Sequence, residues 1–223
     1  MRRMKAIQFF KVDLVRSKAQ LKYMVIFFAL AFVLGFATDA GVAFSFVYMI
    51  FAGVILSGQP FMMEQASESG FINMLPGSKT ERVAGRYLMT LSLLLFGAIA
   101  GTLIIIISEL LQKTTTEGLE IMVPFAVGIG MILIALQNVL LYAIGKGKSQ
   151  QMIGIIRMLP GFIGFFAGMA IFDEIQENPL QYANLWIFSH PQESALLVLL
   201  IGVIIYLLAI MISTAIIKKR DFN

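Results

Sequence analysis

Residues 61–88 read FMMEQASESGFINMLPGSKTERVAGRYL and join two apolar runs, 41–60 and 87–108. The stretch carries its own punctuation. Gln59-Pro60 ends or kinks the preceding run, because proline lacks an amide proton and its ring collides with the turn before it. From Phe61 a helix-compatible segment follows, with Phe71, Ile72 and Leu75 on one face and Glu64 and Glu68 near the opposite edges. Pro76-Gly77 stops it. Ser78-Lys79-Thr80-Glu81 then spells a capping box, in which the Ser78 hydroxyl accepts from the Glu81 amide and the Glu81 carboxylate reaches back. The new helix runs through Arg82 and Arg86 into the next apolar run. Helix, sharp turn, helix is the expected form.

Around this hairpin the chain is mostly hydrocarbon. Of its 223 residues 59% are hydrophobic, and the mean hydropathy is +0.86. Soluble domains average roughly 45–50% apolar residues, so a chain of this length has no interior large enough to hide such a surplus. The apolar residues also cluster into runs of about 20, the length a helix needs to cross a bilayer. The expected fold is an all-α integral membrane protein, a single domain over 1–223 with six transmembrane helices near 23–38, 41–60, 87–108, 121–144, 152–172 and 194–217. The runs lack the period-two alternation of barrel strands. With no cysteine, disulfides and thiolate chemistry are excluded.

Charge sets the sidedness. Sixteen of the seventeen Lys and Arg fall in the N-terminal segment, in 61–88, in 145–157 and in the tail; the other loops hold only Lys113. The positive-inside rule therefore places both termini and the 61–88 hairpin in the cytoplasm. Acidic residues lean the other way, with Glu109, Glu117, Glu120, Asp173, Glu174, Glu177 and Glu193 outside. The net charge of +4 reports sidedness and does not argue for a nucleic-acid partner. Residues 1–22 suit an interfacial elbow helix, since Ile7, Phe10, Leu14 and Leu21 recur at helical steps while Lys11, Arg16, Lys18 and Lys22 occupy other faces; such a segment lies on membrane lipid. The last outer loop, 173–193, holds Leu180, Tyr182, Leu185, Trp186, Ile187 and Phe188 and suits a dip into the outer interface.

The hairpin tip, Leu75-Pro76, is an apolar knob with a charged rim, which serves either to dock on a protein groove or simply to connect two helices. A Glu shortly after the second run, then an apolar residue, Leu-Pro, Ser-basic, Glu and basic-Tyr-Leu occur here as Glu64, Phe71, Leu75-Pro76, Ser78-Lys79, Glu81 and Arg86-Tyr87-Leu88. This pattern resembles the ABC-2 family of ABC-exporter permeases, and the size, six runs, basic N-terminus and inward termini resemble that family's plan. The resemblance implies that 61–86 is a cytoplasmic coupling helix seated on a separate ATP-binding ABC subunit. Glu64, Phe71, Leu75, Pro76, Ser78, Lys79, Glu81 and Arg82 would form that interface. It also implies a second permease subunit, identical or homologous, and places ATP and Mg in the ATPase rather than in this chain.

A second cytoplasmic contact is implied at Tyr142-Ala143-Ile144-Gly145-Lys146-Gly147-Lys148, where Lys146 and Lys148 keep the family's charge but the usual preceding Pro and Lys are missing. Compact size and short outer loops also resemble peptide-toxin exporter subunits of Gram-positive bacteria. That likeness implies an amphipathic peptide or lipid-like cargo and a bacterial plasma membrane. Re-entrant helices at 173–193 are implied by the family's architecture alone.

Other chemistries find little support. Gly145-Lys146-Gly147-Lys148-Ser149 ends like a phosphate-binding loop, but Tyr142 stands where that loop needs Gly and a membrane helix where it needs a strand. An ion-coupled carrier needs ionisable groups at membrane depth, whereas the mid-run polar residues are Gln137 and Asn138 with Ser45, Tyr48, Ser92 and Thr102. Gln137 and Asn138 either bond across helices or line a path. The single His190 sits beside Pro191 in an outer loop, away from any carboxylate cluster that would make a metal site, and no run pairs a nucleophile with a base. A non-transporting membrane scaffold or sensor is the competing class. Threading is directly testable: a cysteine at Lys79 should resist membrane-impermeant maleimide in intact cells and react only after permeabilisation.

Overall fold

The computed structural model describes residues 5–37, 41–66, 77–112, 118–144, 150–177 and 186–220. Among them are eight helices and no strand: α1 (Ala6–Ala37), α2 (Gly41–Ser57), α3 (Gln59–Ala66), α4 (Lys79–Gln112), α5 (Leu119–Ile144), α6 (Gln150–Glu177), α7 (Trp186–Ser189) and α8 (Pro191–Arg220). Four segments are long and apolar enough to cross a bilayer: Phe44–Met62 through α2 and α3, Lys79–Leu111, Leu119–Ile144 and Pro191–Lys219. Helix α1 bends by 70° between Ala6–Lys18 and Lys22–Gly35, and the bent pair qualifies as a fifth. The chain is an all-helical membrane bundle with four to five candidate spans.

Two sequence expectations shift. Helix α6 covers the whole run 152–172, but its apolar stretch Gln151–Gly164 is shorter than the about 20 residues a crossing takes. The acidic run 173–177, expected in a loop, is the end of α6. Asp-Glu-Ile-Gln-Glu contains no helix breaker, and the first stop signal is Asn178-Pro179. Helix α8 likewise begins at Pro191, a residue suited to a first helical turn.

Between membrane helices, small residues do much of the packing, because lipid tails give apolar side chains no reason to prefer one another. One close crossing joins α5 to α8. A Cβ added at Gly128 would lie 2.8 Å from backbone atoms of Leu199, and one added at Gly202 would lie 2.6 Å from the Gly128 carbonyl oxygen. Helix α4 meets α2 in the same manner, with a Cβ at Gly97 falling 2.6 Å from the Met49 carbonyl oxygen. A core of Phe46, Ile50, Val54, Leu94, Ile105, Met131 and Ile134 fills the space between α2, α4 and α5. The outer surfaces stay apolar: on α8, Leu200, Leu207 and Met211 are exposed while Tyr206, Ala209 and Ser213 turn inward. Ser45 on α2 donates to the Ala31 carbonyl of α1 at 2.7 Å, tying the first two helices together.

The glycine crossing yields a prediction. Gly128→Val should destabilise the purified protein by about 1–3 kcal/mol through overpacking, read as a lower thermal midpoint in detergent. Gly154→Ala, where nothing lies within 4 Å of the new methyl, should leave the midpoint unchanged.

Candidate functional site

Polar side chains gather at one end of the bundle, where the first arm of α1, α3, the start of α4 and the ends of α5 and α8 converge. The start of α4 is the organising element. Ser78 caps it: the Glu81 amide donates to Ser78 Oγ at 3.2 Å, and a Glu81 carboxylate oxygen accepts from the Ser78 amide at 2.7 Å and from its hydroxyl at 2.6 Å. The anionic Glu81 in the first turn also suits the helix dipole. Arg82 N donates to the Ser78 carbonyl, so α4 is helical from its first residue.

One turn further on, Arg86 is buried. Its Nε lies 3.3 Å from Asp13 Oδ2 on α1, and both side chains are under a tenth exposed. Its guanidinium also sits over the Phe61 ring of α3 at 4.4 Å, within cation–π range. Arg82 lies over the Phe9 ring at 5.8 Å. The first arm of α1 approaches α4 so closely that a Cβ on Gly85 would be 2.7 Å from the Ala6 carbonyl oxygen. The buried stripe of this arm is Phe9, Asp13 and Ser17, at steps of four. Of the apolar residues at helical steps, Ile7 and Leu14 are exposed, while the inward face, which the sequence left unassigned, carries a carboxylate.

Behind Arg86 lies a layer of tyrosines. Tyr87 stacks parallel to Tyr142 of α5 at 6.5 Å and meets Tyr206 of α8 edge-on at 5.1 Å, while Phe61 meets Tyr142 edge-on at 4.8 Å. The Tyr87 hydroxyl is 2.8 Å from Ser213 Oγ. Tyr206 donates its hydroxyl to the Tyr87 carbonyl, and its oxygen is 2.8 Å from Thr90 Oγ1. Asn138 Nδ2 donates to the same Thr90 oxygen at 3.3 Å. Hydrogen bonds inside a low-dielectric bundle are costly to leave unmade, so such a network fixes geometry.

Gln137, the neighbour of Asn138, serves the break between α2 and α3. Pro60 offers no amide proton and interrupts the helix at Gly58. The Gln137 amide satisfies both of its polar atoms when Nε2 donates to the Val54 carbonyl at 3.0 Å and to Ser57 Oγ at 3.3 Å, while Oε1 accepts from Gly58 N at 3.2 Å. Two other mid-helix hydroxyls bond within their own helix, Ser92 to Leu88 and Thr102 to Ala98.

The sequence-predicted residues divide accordingly. Ser78, Lys79, Glu81 and Arg82 stand together on the capped start of α4, partly buried. Gln137 and Asn138 are fully buried and both bond across helices, to α2 and α4 respectively. Phe71, Leu75, Pro76, Lys146 and Lys148 lie outside the described residues, as does the side chain of Glu64 on α3. Sequence reasoning passed over Asp13, Phe61, Thr90, Tyr206 and Ser213. Asp13 did leave a signal, being the only acidic residue among seven cations in the first 22 positions. The tyrosines left none, since Tyr206 sits in the middle of α8 and nothing in the string brings it to Tyr87 and Tyr142.

The family profile described as ABC-2 family transporter protein matches residues 8–219. The chain belongs to the ABC-2 family of transporter proteins. Comparison with curated proteins and with solved structures gave no match. As an ABC-2 permease, it is the membrane component of an ABC transporter, and such components generally pair with an ATP-binding subunit. The match begins two residues into α1 and ends one residue before the last of α8, so both arms that meet at Arg86 and Tyr87 fall within it. In this permease the joint has one foreseeable weakness. Asp13→Asn should cost about 3 kcal/mol by leaving Arg86 uncompensated. Asp13→Leu combined with Arg86→Met should regain part of that loss in a double-mutant cycle read by thermal unfolding.

Proposed function

We propose that this ABC-2 chain is the permease half of an ATP-driven exporter, with the 61–86 segment seated on a separate ATPase subunit in the cytoplasm. Two permease subunits, identical or homologous, enclose the pathway and two ATPases bind beneath. In this reading all six apolar runs cross the plasma membrane, both termini are cytoplasmic, and the first arm of α1 is the interfacial elbow. Neither ATP nor Mg is held by this chain, and none of its residues is catalytic.

The observation that carries the reading is the way the hairpin's exit is built into the bundle. A displacement of the 61–86 segment meets a capped helix at Ser78–Glu81. One turn on, that helix is joined to α1 through Arg86–Asp13 and to α8 through Tyr87–Ser213 and Tyr206. A push at that point would pass through the cap, the ion pair and the tyrosine hydrogen bonds into α4, α1 and α8. ATP-driven approach of two such hairpins would rock the spans between two packed states, the usual form of a ligand-driven switch. Glu64, Leu75, Pro76, Lys79, Glu81 and Arg82 are assigned to force transfer, and Lys146 and Lys148 to a second contact.

The cargo in this proposal is an amphipathic peptide or lipid-like molecule. Exposed side chains on the long helices are largely apolar, with Phe96, Phe162, Phe166, Met158 and Met211 among them, and adaptable Met- and Phe-rich surfaces suit such cargo. Replacing Leu75-Pro76 by Asp-Asp should abolish cargo-stimulated ATP hydrolysis and transport in vesicles while leaving membrane insertion intact. Full stimulation in that variant would reject the coupling role. Failure of any ATPase to co-purify with the native chain would favour a scaffold or sensor instead.

A further inference from the structure

The bend in α1 shelters a groove separate from the polar joint. Its volume is about 390 Å³, and it is lined by Leu14 from the first arm, Met24, Val25 and Phe28 from the second, and Met89, Ser92, Leu93 and Phe96 from α4. Met24, Met89 and Leu93 form a buried floor, while Leu14, Val25 and Phe96 are exposed at the rim. The only hydroxyl in the lining is already committed, since Ser92 Oγ donates to the Leu88 carbonyl at 2.8 Å. Nothing inside the groove therefore asks for a polar ligand. The size falls in the range of ordinary small-molecule sites, about 300–1,000 Å³.

The rim at the bend is cationic. Lys18 lies four residues from Leu14, and Lys22 three from Val25, so helical spacing places each beside a groove residue. Both are exposed, as is Lys11, and Lys22 Nζ rests over the Tyr23 ring at 5.4 Å. The single carboxylate of α1, Asp13, is turned inward and engaged by Arg86. An apolar slot with a positive collar at the level where a membrane helix meets its surface helix has one natural complement: a hydrocarbon chain that ends in a negative charge.

We infer that this groove is a binding site for an anionic phospholipid, one acyl chain lying along Met24, Phe28 and Leu93 and the phosphate meeting Lys18 and Lys22. The site lies in the leaflet on the basic side of the protein and does not depend on which cargo the permease moves. Its occupant would wedge the inner angle of α1, on the face of the arm next to the Arg86 joint.

Quenching by brominated lipids tests the assignment. The chain has one tryptophan, Trp186, so Trp186→Phe with Val25→Trp places a lone reporter on the rim, and Leu14→Trp serves equally if the first variant does not insert. In vesicles, phosphatidylglycerol with brominated chains should quench this reporter at about a fivefold lower mole fraction than brominated phosphatidylcholine. Lys18→Gln with Lys22→Gln should erase the preference and keep the quenching. A reporter at Leu207, on the outer face of α8, should show no preference. Equal quenching by the two lipids at the groove, or the same preference at Leu207, would overturn the proposal. So would absence of quenching by either lipid, which would mean that protein, such as a second copy of this chain, covers the groove.

Discussion

A guanidinium cannot be taken out of water alone, and most of what is distinctive in this bundle follows from where Arg86 is buried. Solvation lost by an ion in a low-dielectric interior returns only through close, well-aligned partners. The partner here is Asp13, on a helix that begins 80 residues earlier in the chain, at Ala6 against Arg86. To bring that carboxylate to α4, the first arm of α1 must run across the end of the bundle rather than continue the line of its second arm. The 70° bend between Lys18 and Lys22 accomplishes this. Phe61 on the guanidinium face and Phe9 beneath Arg82 close the same corner with aromatic rings.

The corner separates two regimes of packing. Towards the far end of the bundle, helices touch through glycine and apolar side chains, and the Ser45 and Thr102 hydroxyls bond back to a neighbouring or their own backbone. Near Arg86, contacts become directional: an ion pair, side-chain hydrogen bonds around Tyr87, Tyr206, Thr90 and Asn138, and rings at fixed angles. Apolar contacts slide; directional ones hold register. The directional set lies beside the exit of the 61–86 hairpin, the segment proposed above to meet the ATPase.

Much of this was legible in the residue string, and the reason is locality. The capping box needs only four consecutive residues, so Ser78 and Glu81 could be paired by eye, and the same holds for the break at Pro60. Helical runs were legible because hydrocarbon length is a one-dimensional property. The Asp13–Arg86 pair was not, since nothing within α1 says which way its single carboxylate turns. The amphipathic count picks out Ile7 and Leu14 as lipid-facing residues, and both are exposed. It weighs hydrophobicity alone and says nothing of the protein-facing side, where burial of Arg86 makes an acid the inward residue. The length of α6 was misjudged for a converse reason: acidic residues signal solvent but do not break helices, and the run 173–177 stays helical.

The amide of Gln137 offers a last lesson about distance. Where α2 breaks at Gly58, the Ser57 hydroxyl of the same helix bonds the Val54 carbonyl, and a side chain from α5 adds bonds to Val54, Ser57 and Gly58 across the gap. Damage and remedy thus belong to segments 80 residues apart. A lesion at Gln137 would be felt as a fault in α2–α3, and second-site revertants of a change at Gly58 or Pro60 are to be sought on α5, a helix that no inspection of the neighbouring sequence would nominate.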